Sequence, residues 1–195
     1  MSTTAAAREI WLIRHGETEW SKSGQHTGRT DIALTDHGRQ QAEALRPILA
    51  RQSFDRVLSS PLGRAMETCR LAGLGERAEA EPLLLEWDYG IYEGRTTPDI
   101  RKDVPDWTIW NSPIPQGESL EAIQERARTL VARLEQLPGR TALFAHGHIL
   151  RVLAGVWIGD SARLGAHLVL GTATVSVLGY EREARAIVRW NAESR

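Results

Sequence analysis

Two stretches of this sequence combine residue types that can hold and transfer a charged group. Arg14-His15-Gly16 follows an apolar run at residues 10–13, and His146-Gly147-His148 follows another at residues 141–145. An arginine guanidinium can grip two phosphate oxygens at once, and an imidazole can act as a nucleophile that forms a covalent intermediate. Together the two stretches favour phosphoryl chemistry, although either alone is also typical of an ordinary turn.

A third stretch adds a second arginine. Residues 56–59 have the pattern of a shorter buried strand, and Ser60-Pro61 then predicts the start of a helix that carries Arg64, with Ser60 as its cap. Ligands of open α/β sheets bind beyond the carboxyl ends of the strands. If the three strands are neighbours, two guanidiniums and two imidazoles meet at one sheet edge, where fixed cations would stabilise a phosphoryl group in transfer.

The remaining pattern indicates the elements that position these residues. Apolar periodicity predicts three helices, over residues 36–49, 118–137 and 147–158. Pro47 should kink or split the first helix, and residues 166–180 and 185–190 are predicted to form an antiparallel hairpin at a sheet edge. This alternation favours an α/β fold, a three-layer α/β/α sandwich with a mostly parallel central sheet.

Two segments lack regular periodicity. The loop from His15 to about Thr35 is long for a connection and is rich in hydroxyl, amide and lysine side chains that are compatible with an anion. Residues 86–117 contain four prolines and several aromatic residues, and we expect them to form a lid-like excursion over the mouth of the pocket. The whole chain, residues 1–195, is expected to be a single domain.

Composition excludes several classes of partner. With 24 basic and 25 acidic residues the net charge is −1, which gives no reason to expect nucleic acid or a membrane as partner. Cys69 is the only cysteine, so neither a disulfide framework nor a cysteine-based zinc site is expected. Residues 1–7 lack the features of a signal peptide. We therefore expect a soluble cytoplasmic protein without a cofactor, and the oligomeric state, a homodimer included, stays open.

Taken in order, these motifs resemble the histidine phosphatase superfamily, which is also called phosphoglycerate mutase-like. The resemblance rests on Arg14-His15-Gly16, on Arg64 after a Ser-Ser-Pro strand end, on Glu86, and on His146-Gly147, and it extends from residue 8 to about residue 180. It implies a phosphoglycerate mutase-like fold. It also implies that His15 is the nucleophile and becomes a phosphohistidine.

The resemblance further implies roles for the neighbouring residues. His146, in its charged form, would stabilise the transferring phosphoryl group, and Arg14 and Arg64 would clamp its oxygens. Glu86 would protonate the leaving group and then activate water; Glu17 is the alternative acid, or else a structural carboxylate. The expected phosphate-binding residues are Arg14, Ser21, Lys22, Thr27, Gly28, Arg64, His146 and Gly147.

The residues after Glu86 bear on the choice between phosphatase and mutase. Mutases of this family typically have Arg-His at these positions, whereas this chain has Trp87-Asp88, which favours hydrolysis. The run from Thr18 to Gln25 is similar to those of the sedoheptulose-1,7-bisphosphatase branch and of bacterial nonspecific acid phosphatases. Lys22 could therefore reach a distal phosphate of a sugar bisphosphate, or be an ordinary solvated lysine.

Three alternatives stay open at this point. The chain could be a phosphoglycerate mutase or, less in keeping with the complete set of motifs, a non-catalytic phospholigand-binding protein. His146 and His148 form a His-x-His pair that could bind a metal, but no third ligand stands at a recognisable spacing. The favoured prediction is therefore a phosphatase that acts on a small phosphate ester and uses no metal.

Overall fold

The central sheet of the computed structural model, which describes residues 8–193, has six strands. These are β1 (Glu9–Arg14), β2 (Arg56–Ser59), β3 (Ala78–Ala80), β4 (Arg140–Ala145), β5 (Val175–Glu181) and β6 (Ala184–Ala192). They lie in the order β3-β2-β4-β1-β5-β6. Strands β1 to β4 pair parallel with one another, whereas β5 pairs antiparallel with both β1 and β6. The expected mostly parallel sheet is thus confirmed.

Seven α-helices are formed by the described residues. They are α1 (Glu19–Ser23), α2 (Asp36–Ala44), α3 (Arg46–Leu49), α4 (Gly63–Leu71), α5 (Thr97–Asp103), α6 (Leu120–Leu134) and α7 (Gly147–Gly159). The break between α2 and α3 falls at Leu45, two residues before Pro47, as the proline predicts. The Ser119 hydroxyl caps α6 by accepting a hydrogen bond from the N–H of Ala122.

Side chains of β1 alternate between two apolar layers. Ile10 and Leu12 face a core that includes α6, α7 and part of the 86–117 segment, whereas Trp11 and Ile13 face a second core that includes residues of α3 and α4. The period of two along a strand places successive side chains on opposite faces of the sheet. The sheet is therefore buried on both faces, which is the three-layer arrangement predicted from the sequence.

The start of α4 differs from the prediction. The helix begins at Gly63, and its cap residue Leu62 makes no side-chain capping bond. Ser60, the expected cap, is buried, and its hydroxyl lies 2.7 Å from Nε2 of His146. The same hydroxyl accepts the N–H of the cap residue Leu62 at 3.4 Å, so Ser60 precedes the helix and does not cap its first turn.

The predicted hairpin is also shorter than expected. Residues 162–167 form a 3₁₀ turn, and β5 begins only at Val175. The intervening loop is tied to the end of β1, because the carbonyl of Leu170 accepts a bond of 2.6 Å from the Arg14 guanidinium and the N–H of Ala173 donates to the carbonyl of His15 at 3.1 Å. These contacts replace the strand pairing that the apolar pattern suggested.

The 86–117 segment is packed into the body of the protein. Its core residues are Trp87, Tyr89, Tyr92, Ile100, Trp107, Ile109 and Ile114. It also pairs with the loop after α1, since His26 donates its N–H to the Arg95 carbonyl and accepts the N–H of Gly94, each at 2.9 Å. None of the helices within residues 8–193 has the length and hydropathy needed to cross a bilayer, and the expectation about residues 1–7 lies outside the described residues.

Candidate active site

Three parallel strands deliver the predicted residues to one edge of the sheet. Arg14 is in register with Ala145, and Ser59 with Phe144, so the residues that follow β1, β4 and β2 are neighbours. His15 and His146 consequently lie with their ring centroids 5.2 Å apart. Parallel strands that end together place their following residues in one crevice.

His15 is buried and has one ring nitrogen committed to the backbone. Its Nδ1 lies 2.7 Å from the carbonyl oxygen of Gly16, to which it donates its proton. Burial, followed by the charges of Arg14 and Arg64, lowers the pKa of His15 well below its ordinary value. The neutral ring therefore keeps an unprotonated Nε2, which is the form that a nucleophile requires.

The loop that carries His15 packs backbone to backbone on the first turn of α2. A Cβ at Gly16 would overlap the carbonyl oxygen of Gly38, and a Cβ at Gly38 would overlap the carbonyl oxygen of Glu17. Thr68 adds a further tether, because its hydroxyl accepts the N–H of Gly16 at 3.1 Å. Both glycines are thus needed for close approach, and the backbone beside His15 is fixed.

Arg14 presents part of its guanidinium to the pocket. One terminal nitrogen donates to the Leu170 carbonyl at 2.6 Å, while its Nε is buried and has no hydrogen-bond partner among residues 8–193. Burial lowers the pKa of Arg14, and the Glu86 carboxylate opposes that effect. An unpartnered cationic N–H beside His15 is suited to receive an anion, since leaving it unsatisfied is unfavourable.

Arg64 and His146 form a buried pair behind His15. Nε of Arg64 donates to Nδ1 of His146 at 3.1 Å, and Nε2 of His146 is within 2.7 Å of the Ser60 hydroxyl. A guanidinium can only donate, so His146 accepts at Nδ1 and carries its proton on Nε2. Burial, and then the charge of Arg64, lowers the pKa of His146 well below its ordinary value. The structure therefore holds His146 neutral, contrary to the charged form expected from the resemblance.

The other nitrogens of Arg64 are also bonded within the protein. They donate to the carbonyls of Thr27, Gly28 and Thr30 at 3.2, 2.8 and 2.8 Å. Arg64 thus connects His146 to the loop that precedes α2 and does not line the pocket. These bonds orient His146 and the loop, and the role of Arg64 as a clamp on phosphate oxygens stays a prediction.

Glu86 lies at the amino end of α7. Its Oε2 accepts the N–H of His148 at 2.9 Å, and its Oε1 accepts those of Ile149 and Trp87 at 2.8 and 2.9 Å. The first N–H groups of a helix have no partner within it and favour a carboxylate. The helix therefore fixes the Glu86 carboxyl in the pocket that also contains His15.

Glu17 has a structural role. Its Oε1 accepts the Thr35 hydroxyl at 2.9 Å, and Thr35 in turn caps α2. Glu17 does not line the pocket, which favours the structural reading over that of an alternative acid.

The pocket at this edge has a volume of ≈ 180 Å³. Its lining includes six of the residues predicted for the site, and it excludes Lys22, Gly28, Arg64 and His146. It is lined by Arg14, His15, Ser21, Gly24, Gln25, His26, Thr27, Glu86, Tyr89, Gly147, His148, Arg151 and Leu170.

Three of the residues predicted to bind phosphate have other contacts or positions. The Ser21 hydroxyl is engaged in a capping box with Thr18 at the start of α1. Gly28 is buried beneath the pocket, where its N–H bonds to Glu93 and its carbonyl to Arg64. Lys22 is exposed and lies outside the pocket lining, so its prediction as a ligand of the phosphate is not supported by its position.

Arg151 is a pocket residue that the sequence reasoning missed. Its Nε donates to the Gly165 carbonyl at 3.0 Å, and its guanidinium stacks on the Trp110 ring at 4.8 Å. Residues four apart on a helix share a face, so its spacing from Gly147 was a usable signal. Arg151 brings a second cation to the lining, in addition to Arg14.

Three of the four ring nitrogens of the His-x-His pair are engaged by other side chains. Both ring nitrogens of His146 are engaged by Arg64 and Ser60, and Nδ1 of His148 lies 2.6 Å from the Tyr89 hydroxyl. Across residues 8–193 there is no cluster of three or more histidine, cysteine or acidic side chains that could hold a metal ion.

A buried neutral histidine at the edge of a parallel sheet, with Arg14 and a helix-bound carboxylate in the same pocket, is suited to phosphoryl transfer. The comparisons agree: a model of the histidine phosphatase superfamily (branch 1) matches residues 10–193. The chain belongs to the histidine phosphatase superfamily, and it is a phosphatase of that superfamily.

Two similar proteins and one solved structure agree with this family. It is 42% identical to an acid phosphatase of Mycobacterium tuberculosis over 91% of this chain and 89% of that protein. It is 35% identical to the sedoheptulose 1,7-bisphosphatase of Saccharomyces cerevisiae over 76% of this chain and 66% of that protein. A solved structure of a Mycobacterium tuberculosis protein superposes with a TM-score of 0.91 at 38% identity, covering 96% of this chain and 99% of the other.

Proposed function

We propose that this protein hydrolyses phosphomonoesters through a phosphohistidine on His15, and that its substrates are small phosphorylated metabolites, sugar phosphates or sugar bisphosphates. One observation carries the mechanism. The Nδ1 of His15 donates to Gly16, so that the unprotonated Nε2 is the nitrogen left for attack in a pocket that contains Arg14 and Glu86.

In the first step, Nε2 of His15 attacks phosphorus and the ester P–O bond breaks. The leaving oxygen takes a proton from the Glu86 carboxyl, which lies in the same pocket. Arg14, with its unpartnered Nε, and the backbone N–H of Gly147 at the start of α7 receive the phosphoryl oxygens. His146 is held by Arg64 with its ring next to that of His15, and it helps to stabilise the same phosphoryl group.

In the second step, water attacks the phosphohistidine and the P–N bond breaks. The Glu86 carboxylate accepts the proton of that water, which restores the carboxylic acid for the next cycle. Inorganic phosphate leaves, and His15 returns to its neutral form. No step requires a metal ion.

The mutase alternative is less well supported by the side chains after Glu86. Trp87 is fully buried and donates its indole N–H to the Glu118 carbonyl at 2.8 Å. Asp88 accepts the N–H of Gly90 and lies 3.9 Å from Arg29. Neither side chain carries the positive charge that the Arg-His pair of mutases offers at these two positions to a second anionic group.

The proposed substrate class is based on a named relative and on one residue of the pocket lining. The yeast relative is named as a sedoheptulose 1,7-bisphosphatase, and the cationic Arg151 in the pocket lining could accept a second phosphate. A panel of sugar monophosphates and bisphosphates would rank these substrates by kcat/KM.

The test is phosphate release from p-nitrophenyl phosphate in the presence of a chelator. We expect turnover by the parent and a loss of about 10⁴-fold or more in His15→Ala, with His37→Ala, an exposed change on α2, as the matched control. A rapid acid-free quench with ³²P-labelled substrate should trap a base-stable, acid-labile label on the parent alone. Full turnover in His15→Ala would refute the mechanism, and phosphate binding without turnover in the parent would support a binding protein.

A further inference from the structure

One wall of the pocket is built from uncharged aromatic and imidazole groups. His26, Tyr89 and His148 all line it, with ring centroids 4.8 Å apart for His26 and Tyr89 and 5.9 Å apart for Tyr89 and His148. Burial lowers the pKa of His26 to about 4 and that of His148 well below its ordinary value. The wall is therefore neutral at neutral pH, unlike the side that carries Arg14.

The hydrogen bond between Tyr89 and His148 decides which nitrogen of His148 carries its proton. The Tyr89 oxygen lies 2.6 Å from Nδ1 of His148, and the hydroxyl has no other hydrogen-bond partner among residues 8–193. If Nδ1 were the donor, the buried phenol proton would be left without an acceptor. Burial also raises the pKa of Tyr89 well above its ordinary value, so the phenol keeps its proton. Tyr89 is thus the donor, and the proton of the neutral imidazole is on Nε2.

The backbone of His148 binds the proposed acid. Its N–H donates to Oε2 of Glu86 at 2.9 Å, so that ring and carboxylate share the first turn of α7. Among residues 8–193, Nε2 of His148 has no hydrogen-bond partner. It is also not one of the fully buried atoms that lack a partner, so it is open to a ligand. An available N–H of His148 therefore belongs to the same pocket lining as Glu86, the group that protonates the leaving oxygen.

We propose that His148, fixed as its Nε2–H tautomer by Tyr89, is a specificity-determining residue that donates a hydrogen bond to a hydroxyl of the leaving group. A neutral donor among aromatic rings suits a polyhydroxylated leaving group, whose hydroxyls hydrogen-bond and whose C–H faces pack on rings. Tyr89 acts through His148 and is a positioning residue. The proposal rests on the proposed hydrolase function and deepens it, because it assigns a sugar or polyol phosphate as the preferred ester.

The test compares two esters that differ mainly in their hydroxyls, glucose 6-phosphate and cyclohexylmethyl phosphate. The readout is the ratio of their kcat/KM values, measured on the full chain. In His148→Phe the ratio should fall about three- to tenfold, the loss expected for one neutral hydrogen bond. His148→Gln retains an N–H donor and should recover at least part of the preference, and Tyr89→Phe should lower the ratio because Nδ1 then lacks its donor.

Controls separate this proposal from folding and from the hydrolase assignment. His37→Phe changes an exposed histidine and should leave the ratio unchanged, and thermal melts confirm that each variant is folded. An unchanged ratio in folded His148→Phe, or equal losses on both esters in all three pocket variants, would overturn the role of His148. If the parent shows no His15-dependent hydrolysis of either ester, the proposed function itself fails.

Discussion

Nε of Arg64 and Nδ1 of His146 are 3.1 Å apart, and both side chains are fully buried. Because the arginine can only donate, it dictates that His146 presents a proton at Nε2 towards Ser60. Arg64 thus affects the reaction indirectly, because it fixes the tautomer and the orientation of His146. This relationship separates the two arginines of the motif: Arg14 faces the pocket, whereas Arg64 orders what lies behind it.

Replacing Arg64 should therefore impair both stability and turnover. In Arg64→Lys the bonds to His146 and to the carbonyls of residues 27, 28 and 30 cannot all be kept. We expect kcat to fall about 10²-fold and the free energy of unfolding to fall by about 2–3 kcal/mol. The measurements are p-nitrophenyl phosphate kinetics and urea denaturation. Arg70→Lys, exposed on the same helix, should change neither, and an unaffected Arg64→Lys would show that the buried pair is dispensable.

Replacing Glu86 should separate the two chemical steps. Glu86→Gln keeps the shape of the side chain but removes the proton donor and base, so hydrolysis of alkyl esters should slow about 10²–10⁴-fold. Nitrophenolate leaves without a proton, so this ester should still phosphorylate His15. Stopped-flow measurements should then show a burst of nitrophenol followed by a slow steady state. Equal losses on alkyl and aryl esters, with no burst, would show that Glu86 is not the proton donor to the leaving group.

Arg151 and Lys22 offer competing sites for a second anionic group. Arg151 lines the pocket, whereas Lys22 is exposed outside it. We expect Arg151→Met to lower the kcat/KM ratio of sugar bisphosphate to monophosphate about tenfold or more, because a hydrogen bond to a charged group is lost. Lys22→Met is the matched control and should leave the ratio unchanged. The reverse pattern would restore Lys22 as the ligand of the distal phosphate.

Stability should decrease on the acid side because of the buried histidines. The folded protein holds the pKa of His26 at about 4, below the 6.5 of an unperturbed histidine, so between these values the unfolded chain binds more protons. The free energy of unfolding should therefore be greatest above about pH 6.5 and fall, by up to about 3 kcal/mol from His26 alone, as the pH approaches 4. His15, His146 and His148 shift in the same direction.

Urea denaturation at pH 7.5, 5.5 and 4.5 measures this dependence. His26→Gln should flatten the slope, and His37→Gln, an exposed change, is the matched control. Stability that rises on acidification would show that the buried imidazoles are not held neutral in the folded protein.

The strand ends were predictable because their sequences are short apolar runs bounded by chemistry-bearing residues. The runs before Arg14 and His146 correspond to β1 and β4. Because these two strands pair in parallel, their carboxyl ends lie side by side. The break in the helix near Pro47 was equally readable, because proline removes a donor. Such features depend on local sequence and on burial alone.

Features that depend on long-range contacts were not predictable. The contact of the Ser60 hydroxyl with His146, which is 86 positions away in the sequence, could not be read from the local pattern of a helix start. Similarly, β5 starts late because the loop before it bonds to Arg14 and His15. The neutral state of His146 follows from its burial with Arg64, which the motif does not reveal. Arg151 was overlooked among the apolar residues of α7, although its helical spacing from Gly147 pointed to the pocket.

The pocket draws its two sides from different parts of the chain. His15 and Arg14 stand at the end of β1, whereas the neutral wall comes from a surface loop, from Tyr89 and from one turn of α7. In evolutionary terms, this arrangement allows the residues that select the substrate to change without a change in the nucleophile. Substitutions in the wall can change the preferred ester in small steps, while His15 and Arg14 at the end of β1 stay unchanged.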